Sequence, residues 1–213
     1  MDSAGFATAY GLSTSVGLRP FLVLAVASLA MSLGYVHPSH AFAYLGSSGA
    51  TWLLAGLAIL EFAGDKLPVV DNALHAIHFA TKPIAAALLV GSIVPGGGLD
   101  GTSIDAATYA TMGVAALNAL GVHTGVTALR GASTTMTLGL ANPLVSLAED
   151  VLALGATTLA FALPYVGAVV ALVITIVLLF VARSVIRAVR GRSRATSLRT
   201  VAATPREGEG LRR

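Results

Sequence analysis

The sequence predicts an all-α membrane protein, a bundle of about six transmembrane helices, and three observations carry that prediction. The 213 residues are 55% hydrophobic and only 11% charged, with a mean hydropathy of +0.82. Soluble domains carry about 25% charged residues, so this composition lies outside their range. Apolar runs recur along the whole chain, separated by short Pro/Gly/Ser stretches. Nine of the thirteen basic residues fall in the last 31 positions, directly after the most apolar run, which reads as a topology signal beside a membrane and not as a nucleic-acid patch. The chain divides into a helical membrane domain, 1–190, and a basic, disordered cytoplasmic tail, 191–213. There is no cysteine, which excludes disulfides, thiolate catalysis and Cys-based metal sites.

Residues 1–34 are apolar but broken by Gly17, Arg19 and Pro20. About 31 of them as one helix would be ~46 Å long against a ~30 Å hydrocarbon core, so the helix is either tilted or in two pieces. A signal peptide with cleavage after Ala41-Phe42-Ala43 is the competing reading, and the lack of any basic residue before Arg19 argues against it. Residues 35–49 form a Pro/Gly/Ser loop, and the following run, Ala50 to Ala63, is short for a span. Asp71 to Val94 is expected as one helix with a kink at Lys82-Pro83. The stretch from Pro95 to Gly101 is a linker at mid-chain. Ala106 to Leu129 is the fourth span, and the small polar residues from Gly131 to Asn142 read as a loop. Pro143 opens a fifth run through Leu163, and Pro164 opens the last, to about Ala182.

Six crossings place both termini on one side. Lys66, Lys82, Arg130 and the tail share that side, whereas 35–49 and 95–105 contain no Lys or Arg, so positive-inside makes it the cytoplasmic side of a cytoplasmic membrane. Tyr35, Tyr44, Trp52, Tyr109 and Tyr165 fall at the opposite boundary, where amphipathic rings favour the interface. Gly11-x-x-Thr14 before Arg19 echoes Gly121-x-x-Thr124 before Arg130, and Glu61 and Glu149 each precede a proline, Pro83 and Pro164. Two inverted three-helix halves would account for these echoes; so would coincidence.

The stretch from Leu60 to Pro83 concentrates Glu61, Asp65, Lys66, Asp71, His75, His78 and Lys82 between apolar runs. A charge at the centre of a bilayer helix costs about 2.5–3.5 kcal/mol on an insertion scale, so such groups must be paired, hydrated or masked. Arg19, Glu61, Asp65, Asp71, Arg130, Glu149 and Asp150 form the candidate ion or substrate site, facing the interior as a connected cluster. Close carboxylates can share protons or hold a cation; the alternative is ion pairing with Arg19 and Arg130 that only fixes helix register. His75, His78 and Lys82 continue from Asp71 at spacings of 4, 3 and 4, a secondary polar stripe on one helical face. That stripe lines an aqueous path or lies in the headgroups as an interfacial helix. A metal is not expected, because Lys82 opposes a cation there and nothing completes a ligand shell.

Gly121 with Gly125, and Gly11 with Ser15, are small-xxx-small pairs for close helix packing, and Asn118 is expected to hydrogen-bond across helices. No G-x-S-x-G, H-E-x-x-H or P-loop pattern occurs, so no enzymatic activity is expected.

GLRPF (Gly17 to Phe21), LEFAGDKLPVVDN (Leu60 to Asn72) and GLANPLVSLAEDVLAL (Gly139 to Leu154), with the basic tail, resemble an uncharacterised bacterial integral-membrane family, a domain of unknown function. Ala141 stands where that pattern has Gly. The resemblance implies a multi-pass membrane fold and no particular activity. Two functions are expected to compete: a proton- or cation-coupled transporter of a small solute, and a structural or assembly protein whose buried charges fix packing. No cofactor is expected. The partners expected are the lipid bilayer, anionic lipids at the tail and a small solute or ion, with homo-oligomerisation left open and nucleic acid excluded.

Overall fold

The computed structural model describes residues 3–65, 68–94 and 104–203, with no side-chain description at 68–73, 75–76 and 189–203. Its elements are α1 (Ser3–Leu18), α2 (Pro20–Ser32), a 3-10 helix (His40–Gly46), α3 (Ser48–Gly64), α4 (Pro68–Ile93), α5 (Ala106–Thr137), α6 (Asn142–Ala162) and α7 (Pro164–Ala203). Three helices are long and apolar enough to cross a membrane, namely α5, α6 and the Pro164–Ala188 part of α7. The 3-10 helix with α3, bent by 62°, makes a fourth if the pair counts as one span.

What faces outward is apolar and what faces inward is partly charged. In α3 the buried residues are Glu61 and Gly64, while Trp52, Leu53, Ile59, Leu60 and Phe62 are exposed. Such a helix would be inside out in water. In lipid it is the favourable arrangement, because hydrocarbon cannot solvate a carboxylate and costs an apolar side chain nothing. Likewise α4 buries His78 and Lys82 and exposes Ile77, Phe79 and Ile84, which is the reverse of an interfacial helix with its polar face in the headgroups.

The N-terminal apolar stretch is two helices, with Arg19 between them in extended conformation (φ −136°, ψ 93°) and Pro20 opening α2. The two do not continue one another across the bundle. α1 runs alongside α7 in the same sense, with Ser3 Oγ 2.8 Å from Tyr165 Oη and Thr14 Oγ1 3.4 Å from Thr175 Oγ1. α2 then returns antiparallel to α3: the Phe21 amide donates to Glu61 Oε2 (3.2 Å), and ten residues up α3 Ser28 Oγ meets Thr51 Oγ1 (2.8 Å). The loop after α2 joins the end of α4, where the Ser39 amide donates to the Ser92 carbonyl (2.7 Å). Residues 3–32 therefore form a helical hairpin: α1 runs from the end of the bundle holding the α6–α7 turn to Arg19, and α2 goes back. Ser3 and the far end of α7 lie at opposite ends of the bundle, whereas six full crossings would bring them to the same end.

α1 is the central helix, packed on α4, α5, α6 and α7, with Leu12, Ser13, Thr14, Ser15 and Val16 all buried. Its hydroxyls find partners inside. Ser15 Oγ donates to the Gly11 carbonyl, and Asn118 Nδ2 on α5 donates to both Ser13 Oγ (2.8 Å) and Thr14 Oγ1 (2.9 Å), the cross-helix role expected of it. Gly11 lies against Ala160 of α6, Gly17 against Val122 of α5 and Gly125 against Leu178 of α7, all close approaches that only a missing Cβ permits. Gly121 meets nothing, so the expected Gly121/Gly125 pair packs through Gly125 alone.

α5 begins at Asp105, whose Oδ1 accepts the Thr108 amide hydrogen bond (2.6 Å); its hydrogen bonds with Thr108 hold this exposed carboxyl below the usual carboxylate range. The helix does not end at Arg130 but continues to Thr137, through part of the stretch expected as a loop. Thr134 and Thr137 turn their hydroxyls back onto the carbonyls of Arg130 and Ser133, and no proline interrupts before Leu138 and Gly139 take left-handed φ values and close the helix. α4 continues as helix through Pro83. Among the described residues four α-helices precede α5 and two follow it, with α2–α3–α4 running opposite in direction to α5–α6–α7. α7 continues past Gly191, where the disordered tail is expected to begin; residues 204–213 and Lys66 lie outside the described residues.

Candidate functional site

The tip of the hairpin positions the site. Arg19 has no neighbour in its own helices to satisfy a guanidinium, and its side chain, 2% exposed, reaches into the space between α3 and α6. There Nη1 pairs with Asp65 Oδ2, Nη2 donates to Ser146 Oγ (2.6 Å) and to the Ser146 carbonyl (3.1 Å), and Nε lies 2.8 Å from Asp150 Oδ1. Arg130 comes from α5 on the opposite side. Its Nε and Nη2 hold Glu149 in a two-pronged grip (2.9 and 3.0 Å), and Nη2 also reaches Asp65 Oδ2 (3.2 Å). One oxygen of Asp65 thus accepts from Arg19, Arg130 and Ser146 Oγ (3.1 Å). Asp65 is the C-cap of α3, where the helix dipole disfavours a carboxylate, and the two guanidinium groups offset that penalty.

Glu61 lies one turn before Asp65 on α3. Its Oε2 caps the start of α2 by accepting from Phe21, and its Oε1 is 3.2 Å from His78 Nε2 on α4. The α2 N-terminus needs this external cap because Pro20 has no N–H and Arg19 provides no side-chain cap. Four residues beyond His78, Lys82 is fully buried within electrostatic reach of Glu149 and Glu61. His123 of α5 presents its ring edge-on to His78, centroids 6.5 Å apart, and Phe21 closes the other side at 6.3 Å.

Of the residues singled out from sequence, Arg19, Glu61, Asp65, Arg130, Glu149 and Asp150 come together in the interior, toward the end where α5 turns into α6. His78 and Lys82, expected on a separate stripe, belong to the same cluster. The side chains of Asp71 and His75 lie outside those described. Sequence reasoning did not single out His123, although it precedes Arg130 by seven residues, two helical turns on one face. Ser146 has no sequence signal for its role either, because its partners lie 81 and 127 residues away. Among the described residues no group of three or more His, Asp or Glu is arranged to hold a metal ion.

Two grooves in the bundle surface reach the carboxylates. One of about 400 Å³, between α2, α3 and α6, has Glu61 and Asp150 at its floor and Leu22, Ile59, Phe62 and Leu154 in its walls. The other, about 430 Å³, reaches Glu149 between α5, α6 and α7 under similarly apolar walls. Chemically the cluster can bind a positive charge, a proton included, in a medium where unpaired charge is costly.

Comparison with known proteins adds the family. Residues 6–184 match the model of a domain of unknown function, DUF4126, and the chain belongs to that family. The match spans every helix that contributes to the cluster. No curated protein and no solved structure matches the chain.

Proposed function

We propose that this DUF4126 protein is a small ion-coupled carrier whose charged cluster binds a proton or small cation. One observation carries the reading: among the described residues four carboxylates (Glu61, Asp65, Glu149, Asp150) and the basic side chains of Arg19, Lys82 and Arg130 are gathered in the bundle interior, with the ionisable Glu61 and His78 only 3.2 Å apart among them. Ionisable groups inside a membrane bundle are costly to keep and are the usual mark of an ion or proton path. The interrupted N-terminal helix supports the same reading, since discontinuous helices whose ends meet ions are the usual architecture of midplane sites in carriers.

The proposed topology has five crossings, α3 to α7, and the α1–α2 hairpin re-entering from the side opposite the basic tail. Tail and cluster end are cytoplasmic on the positive-inside rule, and the membrane is a bacterial inner membrane. The cysteine-free chain makes the test direct. A cysteine introduced at Ser3 is expected to react with an impermeant maleimide from outside the cell, and one at Arg213 only after permeabilisation; Ser3→Cys labelled only after permeabilisation would refute the hairpin topology.

The competing reading is a scaffold. The Arg19–Asp65–Arg130–Glu149 ring is closed, and such rings also fix helix register. Liposomes containing the purified protein and a pH-sensitive dye separate the two across a panel of ions and small metabolites. Wild type is expected to move at least one of them with a change in internal pH, and Glu61→Gln and Glu149→Gln to reduce the rate at least about tenfold, the effect of ~1.4 kcal/mol on the rate-limiting step. Equal rates in folded mutants and wild type, or no flux in any, would favour the scaffold.

A further inference from the structure

We infer that the cluster's exchangeable proton is held between Glu61 of α3 and His78 of α4, with His123 of α5 next along its route. This names the coupling ion of the carrier reading and rests on that reading.

The assignment comes from who holds whom. The two guanidinium groups are occupied by Asp65, Glu149 and Asp150, Arg130 by the two-pronged contact and Arg19 through three of its nitrogens. Lys82 lies within electrostatic reach of both Glu149 and Glu61. Glu61 is the carboxylate with no guanidinium contact, and it is the one that faces an imidazole, Oε1 to Nε2 at 3.2 Å with both side chains buried. A proton shared by the pair exists either as carboxylate and imidazolium or as carboxylic acid and neutral imidazole, and in both forms the pair itself carries no net charge, the favourable state for two buried groups. The transfer within the pair moves one proton from Nε2 to Oε1 and leaves the charge of the whole unchanged.

Every described element packed around the pair bears on this. α2 offers the Phe21 amide to Oε2 and the edge of its ring to His78. α3 contributes Asp65, α4 Lys82, α6 Glu149 and Asp150, the α1–α2 tip Arg19, and α5 Arg130 and His123. Of these His123 is a buried imidazole whose ring meets His78, at a separation that rotation of either ring or one bridging water spans. Glu61 is also among the residues that line the apolar groove between α2, α3 and α6.

The test uses the full chain in lipid nanodiscs with ring-15N histidine and 13C-glutamate, followed by NMR and infrared difference spectroscopy from about pH 5 to about pH 8, the range in which histidine titrates. His78→Gln assigns the His78 signal. In wild type the His78 ring is expected to change protonation in step with a 13C-shifted carboxylic C=O band. Glu61→Gln, which keeps an acceptor for the Phe21 amide, should abolish that band and move the His78 step by at least about tenfold in proton concentration. His123→Gln should leave the step in place and slow exchange at His78 severalfold. A His78 signal that does not titrate, or that titrates identically with Glu61→Gln, overturns the assignment. Should Glu61→Gln not fold, the wild-type spectra still decide, because absence of a glutamate band tracking His78 overturns it too. A protein that shows these titrations but moves no solute keeps the proton site and loses only the carrier function.

Discussion

Arg19→Ala is expected to remove about 3–5 kcal/mol of stability, a large part of what a domain has. The substitution strips Asp65 and Asp150 of a cation that contacts both and frees both Ser146 acceptors at once, and among the described residues only Arg130 and Lys82 remain to offset the carboxylates. It also removes the anchor of the hairpin tip, since Arg19 is where α1 stops and α2 begins. Arg19→Lys keeps the charge but not the fork, and one ammonium cannot reach Asp65, Asp150 and Ser146 from a single nitrogen, so an intermediate loss is expected. Thermal unfolding in detergent, read by near-UV circular dichroism alongside the monodisperse fraction on a sizing column, ranks the three proteins. Arg19→Ala as stable as wild type would mean the cluster does not hold the hairpin.

The second large effect is steric. A Cβ at Gly125 would lie 2.5 Å from the Leu178 Cβ and 2.9 Å from the Leu178 carbonyl oxygen. The backbone of α7 cannot turn aside as a side chain can, so Gly125→Ala must push α5 and α7 apart, at about 1–3 kcal/mol, more than the ~1 kcal/mol gained in helix propensity. Gly121→Ala is the internal control, one turn earlier on the same helix and facing open space, where only the propensity gain remains. The two variants should move the unfolding temperature in opposite directions; a matched shift would show that α5 and α7 do not pack through Gly125.

Much of the site was legible before any coordinates. Arg19, Glu61, Asp65, Arg130, Glu149 and Asp150 could be drawn together from sequence because lipid leaves an ionisable side chain few alternatives to the bundle interior. The same argument was not carried through for His78 and Lys82. Their 4-3-4 spacing with Asp71 and His75 reads equally as a stripe on an interfacial helix, and only the packing of α4 against α5 and α1 turns two of those residues inward. Pairing was not legible at all. Ser146 meets Arg19 across 127 residues of sequence and Asp65 across 81, and no local pattern encodes separations of that size.

The sequence by itself determined that this is an all-helical chain with helices apolar enough for a membrane, where most helices begin and end, and that its charged residues turn inward. Each follows from transfer free energies and from proline and glycine chemistry, which act residue by residue. The tertiary structure alone decided that residues 3–32 double back at Arg19 instead of running on, that α5 outlasts Arg130 by two turns, and which cation holds which carboxylate. The reversal rests on one residue in extended conformation, Arg19, and an apolar run with such a break has the same composition whether it continues or returns. What selects the return is the set of contacts waiting at the tip, Asp65, Ser146 and Asp150 for the guanidinium and Glu61 for the exposed amide of α2, and these exist only once α3 and α6 are in place.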